Sequence, residues 1–528
     1  MSSTLARKWR HTVFTIAPIL FGPLYTVSIS PVQNHGALAY SRAGTPASKG
    51  VAMSDLSRSR RDFLKSSAGL AAGAAVPLVP RDALAQTAGA ELARIQRAKR
   101  ILLKGGIVLT LDRTIGDFAA GDVLIEDGKL RDIRPNIAAS DAAVIDCTNR
   151  ILIPGFIDTH SHSYQGLLRS LLPNGLVDPD YNRDIQNNLT LHYQPEDVHA
   201  GVLATALAMI DMGTTGMVDI SQIAHSPEHS DANVRALQES GLRAVFAYSR
   251  GAGPESRFPQ DIARLQRTYF NSKDQLLTLA MATSVEPQSF RAAREAGVQA
   301  VLHIRVNSEP LLALGRAGLL RPGDEFIHCT HLSEEAWHLI KDSGAHTSHS
   351  PPLEMAMAHG FPAIQEALDH GLRPSLSSDH SATVAQDMFG IMRTAFNLQR
   401  LMILQRVRKG EQNLPNLLTP REVLEFATIE GARCAQLDAK CGTLTPGKEA
   451  DLVILRADSL DIWPHNNAFG TVVNLMNPGH VDSVFIAGKP KKWRGALVGV
   501  DMARMRRLVE QSRDAVLRRG GFTPSLLG

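Results

Sequence analysis

Between residues 152 and 378 short apolar runs alternate with longer stretches of helical character, and nothing else in the sequence constrains the fold as tightly. Candidate strands fall at 152–158, 215–220, 242–248, 276–283, 299–306, 325–330, 345–349 and 372–378. Helical stretches lie between them, the clearest at 195–212, opened by Pro195 and Glu196 and closed by Gly213. Eight strands alternating with helices, in a region of about 280 residues (152–437), is the size of a (β/α)8 barrel, an α/β fold whose catalytic groups gather at the C-terminal strand ends. A doubly wound open sheet is the competing architecture, but no Gly-x-Gly-x-x-Gly follows an early strand.

Two strand-rich patches flank this region. The first, 100–146, includes Ile101-Leu102-Leu103 and Val123-Leu124-Ile125, followed by the turn sequence Glu126-Asp127-Gly128-Lys129. The second, 450–498, includes Asp451-Leu452-Val453-Ile454-Leu455 and Val484-Phe485-Ile486. Patches at opposite ends of a chain can pair, so residues 98–151 and 438–500 are expected to form one small β-sandwich domain beside a barrel of 152–437. Residues 501–519 read as a charged amphipathic helix, expected to be a solvated surface element, within a C-terminal segment 501–528.

The N-terminus reads as an address. Arg60-Arg61-Asp62-Phe63-Leu64-Lys65 precedes an Ala- and Gly-rich run and the small-x-small sequence Ala83-Leu84-Ala85, which together resemble a twin-arginine (Tat) export signal over 53–85. Met53 would then be the natural start and residues 1–52 a non-native extension. Export implies a periplasmic or secreted protein with no stable membrane anchor after cleavage. Residues 1–85 hold ten of the 56 basic and three of the 52 acidic residues, so the remainder is near neutral with acid in slight excess. A nucleic-acid partner is not expected of such a surface. The four Cys (147, 329, 434 and 441) show no paired spacing that argues for a disulfide.

The chemistry concentrates at strand ends. The first candidate strand runs into His160-Ser161-His162, and residues two apart on a strand face the same way, so both imidazoles form a two-point clamp. His303, His328 and Asp379 lie at or near the ends of later strands. Three or four imidazoles with one carboxylate suit Zn²⁺, or Fe²⁺, with room for a water.

These residues sit within a wider set of motifs: Ile153-Pro154-Gly155-x-x-Asp158-x-His160-x-His162, Gly213-Thr214-Thr215, His328-Cys329-Thr330-His331-Leu332, Ser348-His349-Ser350-Pro351, Ser377-Ser378-Asp379, Ala427-Thr428-x-x-Gly431-Ala432 and Gly442-Thr443-Leu444-x-x-Gly447-Lys448-x-Ala450-Asp451. The chain thereby resembles the amidohydrolase superfamily, near its cytosine deaminase and chlorohydrolase branch. The resemblance implies one divalent metal held by His160, His162, a fifth-strand His, His328 and Asp379. It implies a metal-bound hydroxide that attacks a C–N bond of a small nitrogenous compound (a non-peptide amide, lactam or cyclic amidine), with Asp379 shuttling the proton and His349 steadying the water or oxyanion. The fourth strand has no Lys to bridge two metals, although Glu286 lies just beyond it.

The fifth strand departs from the family. Deaminase relatives carry His-x-x-Glu there, whereas His303 has Val306 at +3. Aligning on the preceding spacing puts Arg305 at the ligand position, with Ser308 at +3. Arg305 stays protonated and cannot ligate metal, but it suits a bidentate clamp on a substrate carboxylate or carbonyl. Glu354 is a candidate substitute acid near the substrate, and Gln165 belongs to the segment 163–194 expected to shape specificity. Deamination of a heterocyclic base and a non-catalytic binding barrel are the alternatives to hydrolysis. The chain is also compatible with assembly into a homo-oligomer.

Overall fold

Two sheets hold all the named strands of the computed structural model, which describes residues 81–527. The extension 1–52 and most of the signal segment 53–85 lie outside the described residues. The first described element is the helix Arg81–Arg97, which takes in the expected cleavage sequence Ala83-Leu84-Ala85.

Strands β1 (Arg100–Val108), β2 (Phe118–Glu126), β3 (Lys129–Arg134), β4 (Ala143–Asp146) and β5 (Arg150–Pro154) begin a mixed sheet. The barrel follows with β6 (Phe156–Ser161), β7 (Thr214–Ile220), β8 (Arg243–Tyr248), β9 (Leu277–Ala282), β10 (Gln299–Ile304), β11 (Glu325–His328), β12 (His346–His349) and β13 (Ser375–Leu376). Strands β14 (Leu452–Arg456), β15 (Val481–Ile486), β16 (Lys489–Trp493) and β17 (Ala496–Leu497) return to the mixed sheet.

The two chain ends meet where β14 pairs antiparallel with β5 along its whole length. β1 changes partner partway, bonding β4 through Ile101–Lys104 and β5 through Ile107–Val108, with register breaks against β2 at Gly106. Bulges of this kind bend a sheet. Ile101, Val123 and Ile145 from one half share a buried core with Leu452, Phe485 and Trp493 from the other. Each fully buried side chain of this size contributes about 1.5–3 kcal/mol.

β6 to β13 are parallel and adjacent in chain order. A parallel bridge between Ser161 and Asp379 joins the last strand to the first. Its bonds run from Asp379 N to His160 O (2.9 Å) and from His162 N to Asp379 O (2.8 Å). The interior is filled by small and branched side chains, among them Val218, Val245, Ala280, Val301 and Ile327, as barrel cores require.

Local sequence accounts for the element ends. The helix Pro195–Asp211 has Pro at its start and a reciprocal cap between Gln194 and Asp197, and Gly213 (φ 92°) turns the chain into β7. Two expectations need correcting. The run 152–158 is not one barrel strand: its first residues belong to β5 of the mixed sheet, and the barrel begins at Phe156. The helix Met502–Arg519, capped by Asp501, is more than a solvated element. It buries Met505, Val516 and Leu517 and packs on the helix Pro195–Asp211, where Arg519 pairs with Asp197. All four Cys are buried and unpaired, and no described helix is long and apolar enough to cross a membrane.

Candidate metal centre

Five side chains from four strand ends converge at the C-terminal mouth of the barrel. His160 lies at the end of β6 and His162 just after it, His303 lies near the end of β10, His328 ends β11 and Asp379 follows β13. The Nε2 atom of His160 lies 3.2 Å from that of His162 and 3.0 Å from that of His303. Asp379 Oδ1 is 3.7 Å from His160 Nε2 and 3.5 Å from His162 Nε2, while its Oδ2 is 3.6 Å from His328 Nε2. Two overlapping triads, His160–His162–His303 and His160–His328–Asp379, thus have the spacing of a metal site. Ligands each about 2.0–2.2 Å from one shared cation are separated by about these distances.

Tautomers are set from behind. His162 Nδ1 donates to Ile220 O (3.1 Å), and His328 Nδ1 donates to Glu354 Oε1 (3.0 Å). Both bonds leave the Nε2 lone pair facing the centre, as in metal-binding histidines. Burial keeps the imidazoles neutral. It holds His160 and His303 well below the ordinary imidazole range, helped by the other imidazoles around them, and lowers His162 to about 4 and His328 to about 3. Burial pushes Asp379 well above the carboxylate range, with Glu354 and Asp158 adding to the shift and Arg305 opposing it. Unprotonated nitrogens around a destabilised carboxylate are the donor set a divalent cation satisfies, so the residues present fit one.

The strand ends are bent to aim these groups. His328 (φ 70°) and Asp379 (φ 61°) both occupy the left-handed region, which costs a non-glycine residue about 1–2 kcal/mol and is a feature of functional sites. Asp158 of the Asp-x-His-x-His motif is fully buried and accepts from Ser378 N (3.1 Å) and His160 N (3.2 Å). It staples β6 to the segment carrying Asp379.

Arg305 follows β10 at the rim, one-third exposed, with Nη2 3.9 Å from Asp178 Oδ2. Glu354 does not face the substrate side as expected. It lies fully buried behind His328, where Oε1 also accepts from Ser350 N (2.9 Å). Burial raises it to about 7. Gln165 is likewise buried, its amide donating to the hydroxyls of Tyr181 (2.6 Å) and Tyr164 (3.1 Å). His349 ends β12 with Nε2 3.0 Å from Thr347 Oγ1, on the side of Glu354 and His328. Glu286 is exposed at the start of the helix Pro287–Ala296.

A cavity of about 800 Å³ opens beside His303, with a mainly polar wall that includes Gln186, Gln222, His225, Arg250, Thr283 and Glu286. Two further imidazoles that no strand pattern singles out complete the surroundings. His359 packs edge-on against His328 (centroids 4.7 Å apart), and His380 stacks on Tyr181 (4.7 Å, 6°). The only sequence signal for His380 is its position next to Asp379.

Comparison with known proteins agrees with this geometry. Over 431 residues the chain is 25% identical to a 5-methylthioadenosine/S-adenosylhomocysteine deaminase of Caldicellulosiruptor saccharolyticus, covering 76% of this chain and 95% of the relative. It is 28% identical over 423 residues to a 5'-deoxyadenosine deaminase of Methanosarcina mazei, covering 74% and 92%. Among solved structures, a zinc-bound adenosine deaminase from Xanthomonas campestris superposes with a TM-score of 0.70 at 23% identity, over 79% of this chain and 98% of that one. A triazine hydrolase from Arthrobacter aurescens gives 0.71 at 20% identity, over 79% and 99%. Residues 59–77 match a Tat pathway signal sequence, a mark of export. Residues 151–491 match the amidohydrolase family, a span that runs from β5 through the whole barrel to β16, and on that match the chain belongs to the amidohydrolase family.

Proposed function

We propose that this amidohydrolase hydrolyses a non-peptide C–N bond in a small amide, lactam or cyclic amidine, with one divalent cation, zinc, held by His160, His162, His303, His328 and Asp379. The convergence of four Nε2 atoms and one carboxylate at the barrel mouth carries this reading. When bound, the cation supplies Lewis-acid activation of water and of the scissile group. Asp379 takes up a proton at a carboxylate oxygen and returns it to the departing nitrogen. Arg305 meets a carboxylate or carbonyl of the substrate at the rim, and the polar cavity beside His303 has the volume of a small-molecule site.

Ring deamination is the second reading, favoured by the deaminase names of the relatives. The local argument against it is Val306, 62% exposed at the position where the deaminase pattern His-x-x-Glu would require a Glu. Export by the Tat route gives an enzyme that works in the periplasm or outside the cell, on a small molecule.

Purified, zinc-loaded enzyme should be screened against lactams, cyclic amidines, N-acyl compounds and adenosine-type nucleosides, with ammonia scored separately from ring-opened or deacylated product. The expected result is hydrolysis without ammonia from an exocyclic amine, reduced about 10²–10⁴-fold in Asp379→Asn and abolished together with metal content in His160→Ala. Rapid ammonia release from a nucleoside base would favour the deaminase, and full activity in either variant would remove the mechanism.

A further inference from the structure

A second cluster of metal-ligating side chains lies outside the barrel mouth. Glu334 and His338 are one turn apart on the exposed face of the helix Glu334–Ser343, and His370 follows the helix Ile364–Asp369. One donor atom from each lies within 4.8 Å of the others. His370 Nε2 is 2.9 Å from Glu334 Oε2, and the rings of His338 and His370 are 5.2 Å apart at 77°. Two imidazoles and a carboxylate, with open positions for water, form a donor set that selects borderline divalent cations.

Three observations show that this geometry is held in place. His370 Nδ1 donates to Glu366 O (2.7 Å), which fixes the ring and points Nε2 at Glu334 Oε2, where a bound cation would take the place of the Nε2 proton. The indole of Trp337, 2% exposed, stacks on the His370 ring at 5.6 Å and 18°. Lys341 Nζ donates to Gly371 O (2.7 Å), tying the helix to the turn that carries His370. A cation would therefore meet one ligand, His370, whose ordering entropy has largely been lost already.

We infer that Glu334, His338 and His370 form a second, surface site for a borderline divalent cation of the copper(II), nickel(II) or zinc(II) kind, independent of the catalytic centre. The site would clip together the helices that follow β11 and β12.

Trp337 makes binding directly readable. Copper(II) chloride titrated into the zinc-loaded enzyme should quench its fluorescence saturably, at one equivalent beyond the catalytic metal. Trp463 also lies beside an imidazole, 5.6 Å from that of His465, so Trp337→Phe is the control and should remove the saturable phase. The double variant Glu334→Gln/His338→Ala should raise the dissociation constant by more than about tenfold, the loss typical even of groups that only support a ligand. His370→Gln should do the same, with turnover unchanged in both ligand variants. Unaltered quenching in the double variant, a saturable phase that survives in Trp337→Phe, or no saturable quenching up to millimolar copper(II) would each overturn the assignment.

Discussion

His303 and Arg305 stand two residues apart, one half-buried against His160 and the other at the rim near Asp178. Their roles separate by charge: a neutral imidazole can give a lone pair to a cation, and a guanidinium cannot. His303→Ala should lower bound metal and activity together. Arg305→Ala should keep its metal and raise KM with little change in kcat, the signature of an interaction made alike in ground and transition states. Metal analysis beside steady-state kinetics checks both, and full metal in purified His303→Ala would remove this residue from the ligand set. Behind His328, Glu354 accepts from His328 Nδ1 and Ser350 N through the same oxygen, while its other oxygen is buried without a hydrogen bond. Glu354→Gln keeps that accepting oxygen and removes the charge. It should weaken metal affinity by about 10- to 100-fold, measured by competition with a chelator, and an unchanged affinity would make Glu354 a packing residue only.

At the scale of elements, the join between β5 and β6 controls where the His160–His162 pair lands. Pro154-Gly155 carries the chain out of the mixed sheet and into the barrel with no intervening loop. A Cβ on Gly155 would lie 2.0 Å from Thr215 Oγ1 and 2.6 Å from Thr215 Cβ, so β6 and β7 approach closely only because that atom is absent. Gly155→Ala should destabilise the protein by about 1–3 kcal/mol, the usual range for overpacking, and lower metal occupancy by displacing β6. Adding Thr215→Ala should recover part of the loss; denaturant midpoints decide it, and no recovery would put the strain elsewhere. The same join explains what was legible in the sequence. The barrel strands read clearly as apolar runs, and the converging histidines were visible because they lie at or near the ends of those runs. The change of sheet inside 152–158 was not, because a buried strand has the same composition in either sheet and only Pro154-Gly155 marks the break. Glu354, His359 and His380 owe their positions to packing between elements distant in sequence, which no local periodicity encodes. The helix Met502–Arg519 read as solvated because its few apolar contacts are outnumbered by charge along its length.

At the scale of the whole molecule, one buried ion pair links barrel to mixed sheet. Arg243, fully buried at the start of β8, donates from Nε to Asp451 Oδ2 (2.6 Å), from Nη2 to Asp451 Oδ1 (3.0 Å) and from Nη2 to Glu449 Oε2 (2.5 Å). Asp451 Oδ1 also accepts from Ala487 N (2.7 Å), and its carbonyl accepts from Gly155 N (3.1 Å). The Ala450-Asp451-Leu452-Val453 motif is therefore a clamp that locates β14 against β5 and, through Gly155, the strand carrying His160. Removing one partner strands the other's charge away from water, so Arg243→Met or Asp451→Ala should each cost about 3–5 kcal/mol. The double variant should cost less than the sum, by a coupling of about 0.5–3 kcal/mol. Unfolding should nevertheless stay a single transition at a lower denaturant midpoint. The clamp is only the polar part of the interface: Ile151, Ile153, Val453, Leu455 and Val484 of the mixed sheet share one buried core with barrel residues such as Phe156, Met217 and Phe246. That apolar contact survives the substitutions and keeps the two sheets folding as a unit. Circular dichroism and metal release should then follow the same curve. Two separated transitions in Arg243→Met would show that the ion pair, rather than the shared core, couples the sheets.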